Sequence, residues 1–239
     1  MRKILHSLLF AKRHIFKEVH VKEIDIFKKY IANDAVCIDV GAHGGSWSIP
    51  LSKICVHGNI FAFEALPYYA DVLKKTLFLL RRNNVEVINK AVMEVSRDID
   101  LKYKNSKGKS LTGLTHISPN GKDSGTVRVE GTTLDTFIKD RDIRRIDFLK
   151  IDVEGFELFV LKGAENSILK YKPLIYCEIM EKWTSRYGYK PHDIFNYLNS
   201  HGYKVYHIDE KKQIVEYDFN LQNQSPPTNF FFAHSDFHV

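Results

Sequence analysis

The stretch Val36–Ser48, VCIDVGAHGGSWS, decides the fold. It reads as a buried apolar strand that ends in an acid, then a tight glycine turn, then the start of a helix. Gly41, Gly44 and Gly45 carry no Cβ, so the backbone turns sharply there and can approach a ligand closely. The N–H groups that open the following helix favour electron-rich ligand groups. Such a strand, turn and helix form the cradle of a nucleotide-type ligand; a purely structural turn is the plainer alternative.

Working outward, apolar runs alternate with helical stretches. A helix is expected over Ser46–Ile54, with Pro50 tolerated only near its first turn. A strand follows over Asn59–Glu64. Pro67 can open a helix that runs on through Tyr69–Arg82, and Val85–Val92 reads as the third strand. The order repeats with a strand at Phe148–Val153, a helix at Phe156–Lys170 weakened at Gly163, and a strand at Leu174–Ile179. Apolar strands separated by helices form a parallel sheet covered on both faces.

Pro191–Ser200 reads as a helix closed by Gly202, and Lys204–Ile208 as the sixth strand. No helix separates that strand from the apolar run Thr228–Ala233, so the last strand must be antiparallel. The spacing thus predicts an α/β, Rossmann-like domain with a mostly parallel seven-stranded sheet and an antiparallel C-terminal strand. An antiparallel closing hairpin separates methyltransferases from dehydrogenases. The glycine turn agrees, because His43 stands where the dinucleotide fingerprint has its second glycine and would obstruct a pyrophosphate. S-adenosylmethionine is therefore the expected cofactor, and a nicotinamide cofactor is disfavoured.

The middle of the chain breaks the alternation. Ile99–Lys104 and Thr126–Glu130 alternate apolar and polar residues, as half-exposed strands do. Between them lies KNSKGKSLTGLTHISPNGKDSG, a stretch long enough to serve as a binding loop. A β-hairpin inserted between the third and fourth strands is expected, carrying that loop.

Residues 1–34 read as an N-terminal helical extension and 35–239 as the main domain. Ile4, Leu8, Ala11 and Ile15 recur at helical spacing, as do Ile24, Phe27 and Ile31. The first run is too short to span a bilayer, and Lys12 and Arg13 interrupt it, unlike a secretory signal. This helix packs on the domain, on another subunit in an oligomer, or on an anionic membrane surface. Cys37, Cys55 and Cys177 lack metal-ligand spacing and read as free thiols of a reducing, cytoplasmic compartment. The net charge of +6 is scattered along the chain, so nucleic acid is a weaker candidate partner than a small molecule or glycan.

Asp39 ends the first strand at the carboxyl edge, where open α/β sheets bind ligands. It is positioned to accept from the ammonium of a bound amino acid, with Gly41, Ala42, His43 and Gly44 lining the same part. Glu64, followed by Ala65, ends the second strand where a carboxylate accepts from both ribose hydroxyls; a solvated surface acid is the alternative. Asn89 and Ala91 lie where an adenine ring would reach. Asp152 and Glu154 point to one side of a strand end and face the reacting centre. Either can take a proton from an acceptor hydroxyl, with His43 and His116 as second candidates. Asp152 with Glu178 can also seat magnesium or manganese, which favour oxygen ligands. His234 and His238 read as a chain end and not as a metal site.

With these residues in view, the chain resembles the FkbM-type methyltransferases, a branch of the class I S-adenosylmethionine-dependent enzymes. The matching pieces are DVGAHGG at Asp39–Gly45, FEALP at Phe63–Pro67 and NKAV at Asn89–Val92. TTLDTFI at Thr132–Ile138, FLKIDVEGFELFVLKGA at Phe148–Ala164 and PLIYCEI at Pro173–Ile179 complete the set, within Ala35–Met180. The chain departs from the family at His43, where Asn is common, and at Ala65, where Pro often follows the acid. The resemblance implies an O-methyltransferase acting on a hydroxyl of a sugar, glycan or secondary metabolite. An RNA methyltransferase and a non-catalytic cofactor-binding module are the competing readings.

Overall fold

The computed structural model describes residues 2–15, 22–103, 116–117, 125–219 and 227–237. Two helices, α1 (Arg2–Ile15) and α2 (Lys22–Phe27), precede β1 (Val36–Val40). Then come α3 (Ser48–Ile54), β2 (Asn59–Phe63), α4 (Pro67–Leu79) and β3 (Val85–Ile88). The short strands β4 (Ala91–Val92), β5 (Ile99–Lys102), β6 (His116–Ile117), β7 (Thr126–Val129) and β8 (Gly131–Thr132) lead to α5 (Leu134–Asp140). The second half holds β9 (Phe148–Ile151), α6 (Glu157–Lys162), α7 (Glu165–Tyr171), β10 (Leu174–Glu178) and α8 (Glu181–Thr184). It closes with α9 (Pro191–Ser200), β11 (Tyr203–Ile208), β12 (Ile214–Glu216) and β13 (Asn229–His234).

The main sheet runs in the order β12-β11-β13-β10-β9-β1-β2-β3. From β10 through β3 every pairing is parallel, whereas β13 is antiparallel to both of its neighbours. Alternate residues of β1 serve opposite faces, as strand geometry requires. Ile38 and Val40 join a core with α5, α6, α7 and α9 (Leu134, Leu158, Ile168, Ile194), while Cys37 packs beside Phe27, Leu51 and Phe148.

The sheet has eight strands among the described residues, where the sequence predicts seven. The extra edge strand, β12, folds back on β11 through a turn in which Asp209 accepts from Gln213 N at 2.8 Å. It is only three residues long, Ile214–Glu216, and never fully buried, too short a run to stand out as a strand in the sequence. The run Val85–Val92 is not one strand: Asn89 donates to the carbonyls of Glu64 (2.8 Å) and Ala65 (2.9 Å) and turns the chain. Ala91–Val92 then pairs with Gly131–Thr132 in a separate two-stranded ladder. The helix expected over Phe156–Lys170 is divided at Gly163, where a Cβ would stand 1.9 Å from the Met93 carbonyl oxygen. The backbone of Met93 occupies the room that a side chain would take. The insertion holds an antiparallel β5–β7 pair with β6 on the other edge of β5, making three strands. Residues 104–115 and 118–124 of its long loop lie outside the described residues.

The two N-terminal helices dock on different partners. Phe27 of α2 is fully buried, its ring 4.6 Å from that of Phe231 and 5.7–6.2 Å from those of Phe148, Tyr176 and Trp47. α1 lies against α4, but not by the face its apolar spacing predicts. Ser7, Ala11 and His14 are its buried residues, and Ile4, Leu8 and Ile15 face outward. Polar pairing with α4 explains the orientation: Lys3 pairs with Asp71, and Tyr68 Oη lies 2.9 Å from His6 Nδ1. Ser7 Oγ is within reach of the Lys3 and Val72 carbonyls. No described helix is long and apolar enough to cross a membrane.

Replacing Phe27 by Ala removes the hub of this aromatic cluster. A loss of about 3–5 kcal/mol is expected for such a cavity. Urea unfolding should show it as a lower midpoint in one cooperative transition. An unchanged midpoint would show that α2 folds apart from the sheet.

Candidate active site

The ends of β1, β2 and β9 are knitted together at the carboxyl edge of the sheet. Gly41 N and Ala42 N donate to the Phe63 carbonyl (3.0 and 2.9 Å), and Asp152 N donates to the Val40 carbonyl (3.1 Å). Gly41 has φ +82°, and a Cβ there would lie 2.0 Å from the Asp152 carbonyl oxygen. Only glycine meets both demands. Beneath this junction lies Lys150, 2% exposed. Its ammonium donates to the Gly41 carbonyl (2.9 Å) and the Val40 carbonyl (3.2 Å), and sits 3.1 Å from Asp39 Oδ1 and 3.6 Å from Asp152 Oδ2. Burial alone would lower its pKa, but Asp39 and Asp152 hold it above the ordinary lysine value. Asp39 also accepts from Ser48 Oγ at 2.6 Å.

Above the junction opens a cavity of about 300 Å³. Gly41, His43, Ser46, Glu64, Ala65 and Ala91 line it together with Asp152, Glu154 and Glu178. Ile99, Leu101 and Ile117 of the small sheet roof it together with Phe156. Ile117 N donates to Tyr187 Oη at 3.1 Å, which pins β6 to the segment after α8.

The carboxylates here are unusual. Glu64 is buried and accepts from His43 N (2.9 Å) and Leu66 N (2.8 Å); burial still pushes its pKa up to about 7. Glu154 sits at φ +57°, a left-handed conformation that non-glycine residues seldom adopt. Its Oε2 is buried and finds no hydrogen-bond partner among the described residues. Burial, then the charges of Asp152 and Glu178, raise it to about 7. The turn that presents it is fixed from below by Glu157, whose Oε1 accepts from Gly155 N (3.0 Å) and Val153 N (3.2 Å). Tyr189 Oη donates to the Gly155 carbonyl at 2.8 Å and lies 3.3 Å from Glu157 Oε2. His43 has φ +44°, and burial followed by the Lys150 charge lowers its pKa, leaving the imidazole neutral near pH 7. Its Nε2 is likewise buried without a partner among the described residues.

Of the sequence-derived candidates, Gly41, His43, Glu64, Ala65, Ala91, Asp152, Glu154 and Glu178 share this cavity. Asp39 and Ala42 are buried behind its wall, and Asn89 braces the carbonyls of Glu64 and Ala65. Gly44 lies under the Phe10 ring, 2.3 Å from where its Cβ would be. The backbone of His116 pairs with Lys102 beside the roof, but its side chain lies outside the described residues. His234 is at the far end of β13 near Asp236, and His238 lies outside the described residues.

The expected cation between Asp152 and Glu178 is not supported. Burial and the charge of Asp152 raise the Glu178 carboxyl to about 7, so this pair does not hold two full negative charges at neutral pH. The Lys150 ammonium, 3.6 Å from Asp152 Oδ2, already offsets the charge of Asp152. No group of three or more metal-ligating side chains is assembled among the described residues. Sequence reasoning missed Lys150, Glu157 and Tyr189. A lysine within the apolar run FLKI, two residues before an acid, was the one available signal.

A doubly covered parallel sheet, a glycine cradle at its carboxyl edge and an antiparallel strand wedged between β10 and β11 define a class I methyltransferase architecture. Residues 39–205 match the methyltransferase FkbM domain, and the chain belongs to that family. It is 26% identical over 195 residues to methyltransferase sdnD of Sordaria araneosa, covering 71% of this chain and 74% of that protein. It is 24% identical over 176 residues to 2-O-methyltransferase NoeI of Sinorhizobium fredii, covering 69% and 70% respectively. The solved structure of methyltransferase FkbM from Methylobacillus flagellatus KT superposes with a TM-score of 0.58 at 15% identity. That likeness covers 97% of this chain, which spans 59% of the length of that structure. The chain is an enzyme of the methyltransferase class.

The raised carboxyls tie stability to pH. Glu64, Glu154, Glu157 and Glu178 titrate near 7 when folded and near 4.5 when unfolded. The folded state therefore binds more protons in that window, and stability is lost as pH rises through it. The melting temperature of the ligand-free protein should fall between pH 5 and pH 8, at about the range these values set. The Glu154→Gln/Glu178→Gln variant should flatten the fall, whereas a flat wild-type profile would contradict the assignment.

Proposed function

We propose that the chain transfers the methyl group of S-adenosylmethionine to a hydroxyl of a sugar, glycan or secondary metabolite. Glu154 lines the cavity from a left-handed turn, with one buried oxygen that has no hydrogen-bond partner among the described residues, and this is the observation that carries the reading. Such strain persists only where surrounding structure enforces it, and it clusters at reactive sites.

The residues present fit the cofactor. Glu64 spends one lone pair of each oxygen on backbone N–H groups, and a carboxylate has about four, so two ribose hydroxyls can still be received. Gly41 and His43 offer backbone groups, and His43 an imidazole nitrogen with no partner among the described residues, to the amino-acid part, and Ala65 and Ala91 a smooth wall to the adenine. When bound, the cofactor supplies a methyl on a positively charged sulfur. Glu154 accepts the proton of the acceptor hydroxyl, its raised pKa making it a stronger base than an ordinary carboxylate. Asp152 and Glu178 orient that hydroxyl, and the apolar side chains of Ile99, Leu101, Ile117 and Phe156 cover it. Asp152, Glu154 and Glu178 together repel a phosphate backbone, which argues for a neutral acceptor over RNA despite the positive net charge. NoeI, named as a 2-O-methyltransferase, supports oxygen as the acceptor atom.

Titration with S-adenosylhomocysteine should give an affinity that rises from pH 6 to pH 8, as Glu64 ionises through about 7. Glu64→Gln should weaken binding by about 1.5–3 kcal/mol and abolish the pH dependence. Unchanged binding in this variant would remove Glu64 from the cofactor site. Glu154→Gln should lower turnover on a panel of free glycosides and sugar nucleotides by roughly 10²–10⁴-fold, the range for a lost general base. Its affinity for S-adenosylhomocysteine should stay unchanged. Full turnover in that variant would place the base elsewhere.

A further inference from the structure

α1 is built inside out for a helix on a water-soluble protein. Its buried side holds Ser7 and His14, while Lys3 and His6 bond to Asp71 and Tyr68 of α4. Its outer side presents Ile4, Leu5, Leu8, Leu9 and Ile15, exposed by 55, 58, 49, 48 and 63%. At 3.6 residues per turn these five fall within one arc of about 140°. Lys12 lies inside that arc, and Arg2 and Arg13 at its margin. α1 carries no acidic residue. Lys74 and Lys75 of α4 add positive charge alongside, close enough to act on Asp71.

We infer that this face of α1 seats the protein on an anionic membrane surface. An apolar arc edged by cations, lying along the protein surface, matches the interfacial helices that sink one side to the acyl boundary. Charge decides between a bilayer and a second copy of this chain. A two-fold contact through the same patch would bring Arg2, Lys12 and Arg13 of both copies together away from water, which is costly. Anionic headgroups offset those same charges. The inward side of α1 meets the cavity wall, since the Phe10 ring packs edge-on to His43 with centroids 5.9 Å apart. The membrane-bound helix therefore holds the cavity close to the lipid surface, and this inference stands whatever the acceptor is.

The full chain should be co-sedimented with vesicles of phosphatidylcholine alone and of phosphatidylcholine mixed with phosphatidylglycerol. Binding is expected to the mixed vesicles only, and raised salt should release it. Leu5→Glu/Leu8→Glu changes two exposed side chains, so the fold and its melting temperature should persist while vesicle binding falls by about tenfold or more. Protein that stays in the supernatant with both vesicles overturns the inference. So does equal binding to both, which removes the charge argument. A wild-type dimer in gel filtration that the double variant converts to monomer, with no vesicle binding, assigns the face to a second copy instead.

Discussion

The buried ammonium of Lys150 is the contact on which the site depends. A charge at that depth costs several kcal/mol unless it is paired and fully hydrogen-bonded. Asp39, Asp152 and the carbonyls of Val40 and Gly41 meet that demand together. Because Asp39 and Gly41 belong to the first strand and turn, and Asp152 to the end of β9, the one cation draws both ends to a fixed separation. The absent Cβ of Gly41 then lets the two backbones touch. The glycine turn and the LKIDVEG segment are thus one device, each half of which is strained or uncompensated without the other.

Around that contact the chain stores tension in a form useful for chemistry. Glu154 is held in a left-handed turn, and several carboxyls crowd one partly buried corner. Glu157 and Tyr189 hold the turn in place by taking up its backbone groups, so the strain is supported by packing that never enters the cavity. Pre-oriented groups of this kind lower a barrier because no reorganisation is left for the moment of reaction. The roof contributed by β5 and β6 acts in the same sense by excluding solvent from one side.

Much of this was legible in the residues. Apolar strands separated by helices, and the missing helix before Thr228–Ala233, were enough for the sheet and its reversed strand. The cavity-lining acids Glu64, Asp152, Glu154 and Glu178 were each readable as the end of a strand. What escaped has a common cause: it is set by contacts distant in sequence. Asn89 divides Val85–Val92 by bonding to carbonyls near β2. Met93 divides a helix at Gly163 through space. α1 turned its apolar side outward because Asp71 and Tyr68 bind its polar side, and helical periodicity contains no information about that. Oxygen-rich acids suggested a cation, whereas Asp152 is paired with the buried Lys150 ammonium and no group of three or more ligating side chains is assembled among the described residues.

The wedge position of β13 bears on how the chain matures. Leu174–Glu178 and Tyr203–Ile208 are synthesised well before Asn229–His234, yet each hydrogen-bonds to that strand along one side. Until it emerges from the ribosome, both present open edges, the kind that recruit stray chains. Glu178 sits at the end of one of them. Nascent chains halted short of residue 229 would therefore carry an unfinished acidic wall and two adhesive borders, making the closing segment a checkpoint for both solubility and activity.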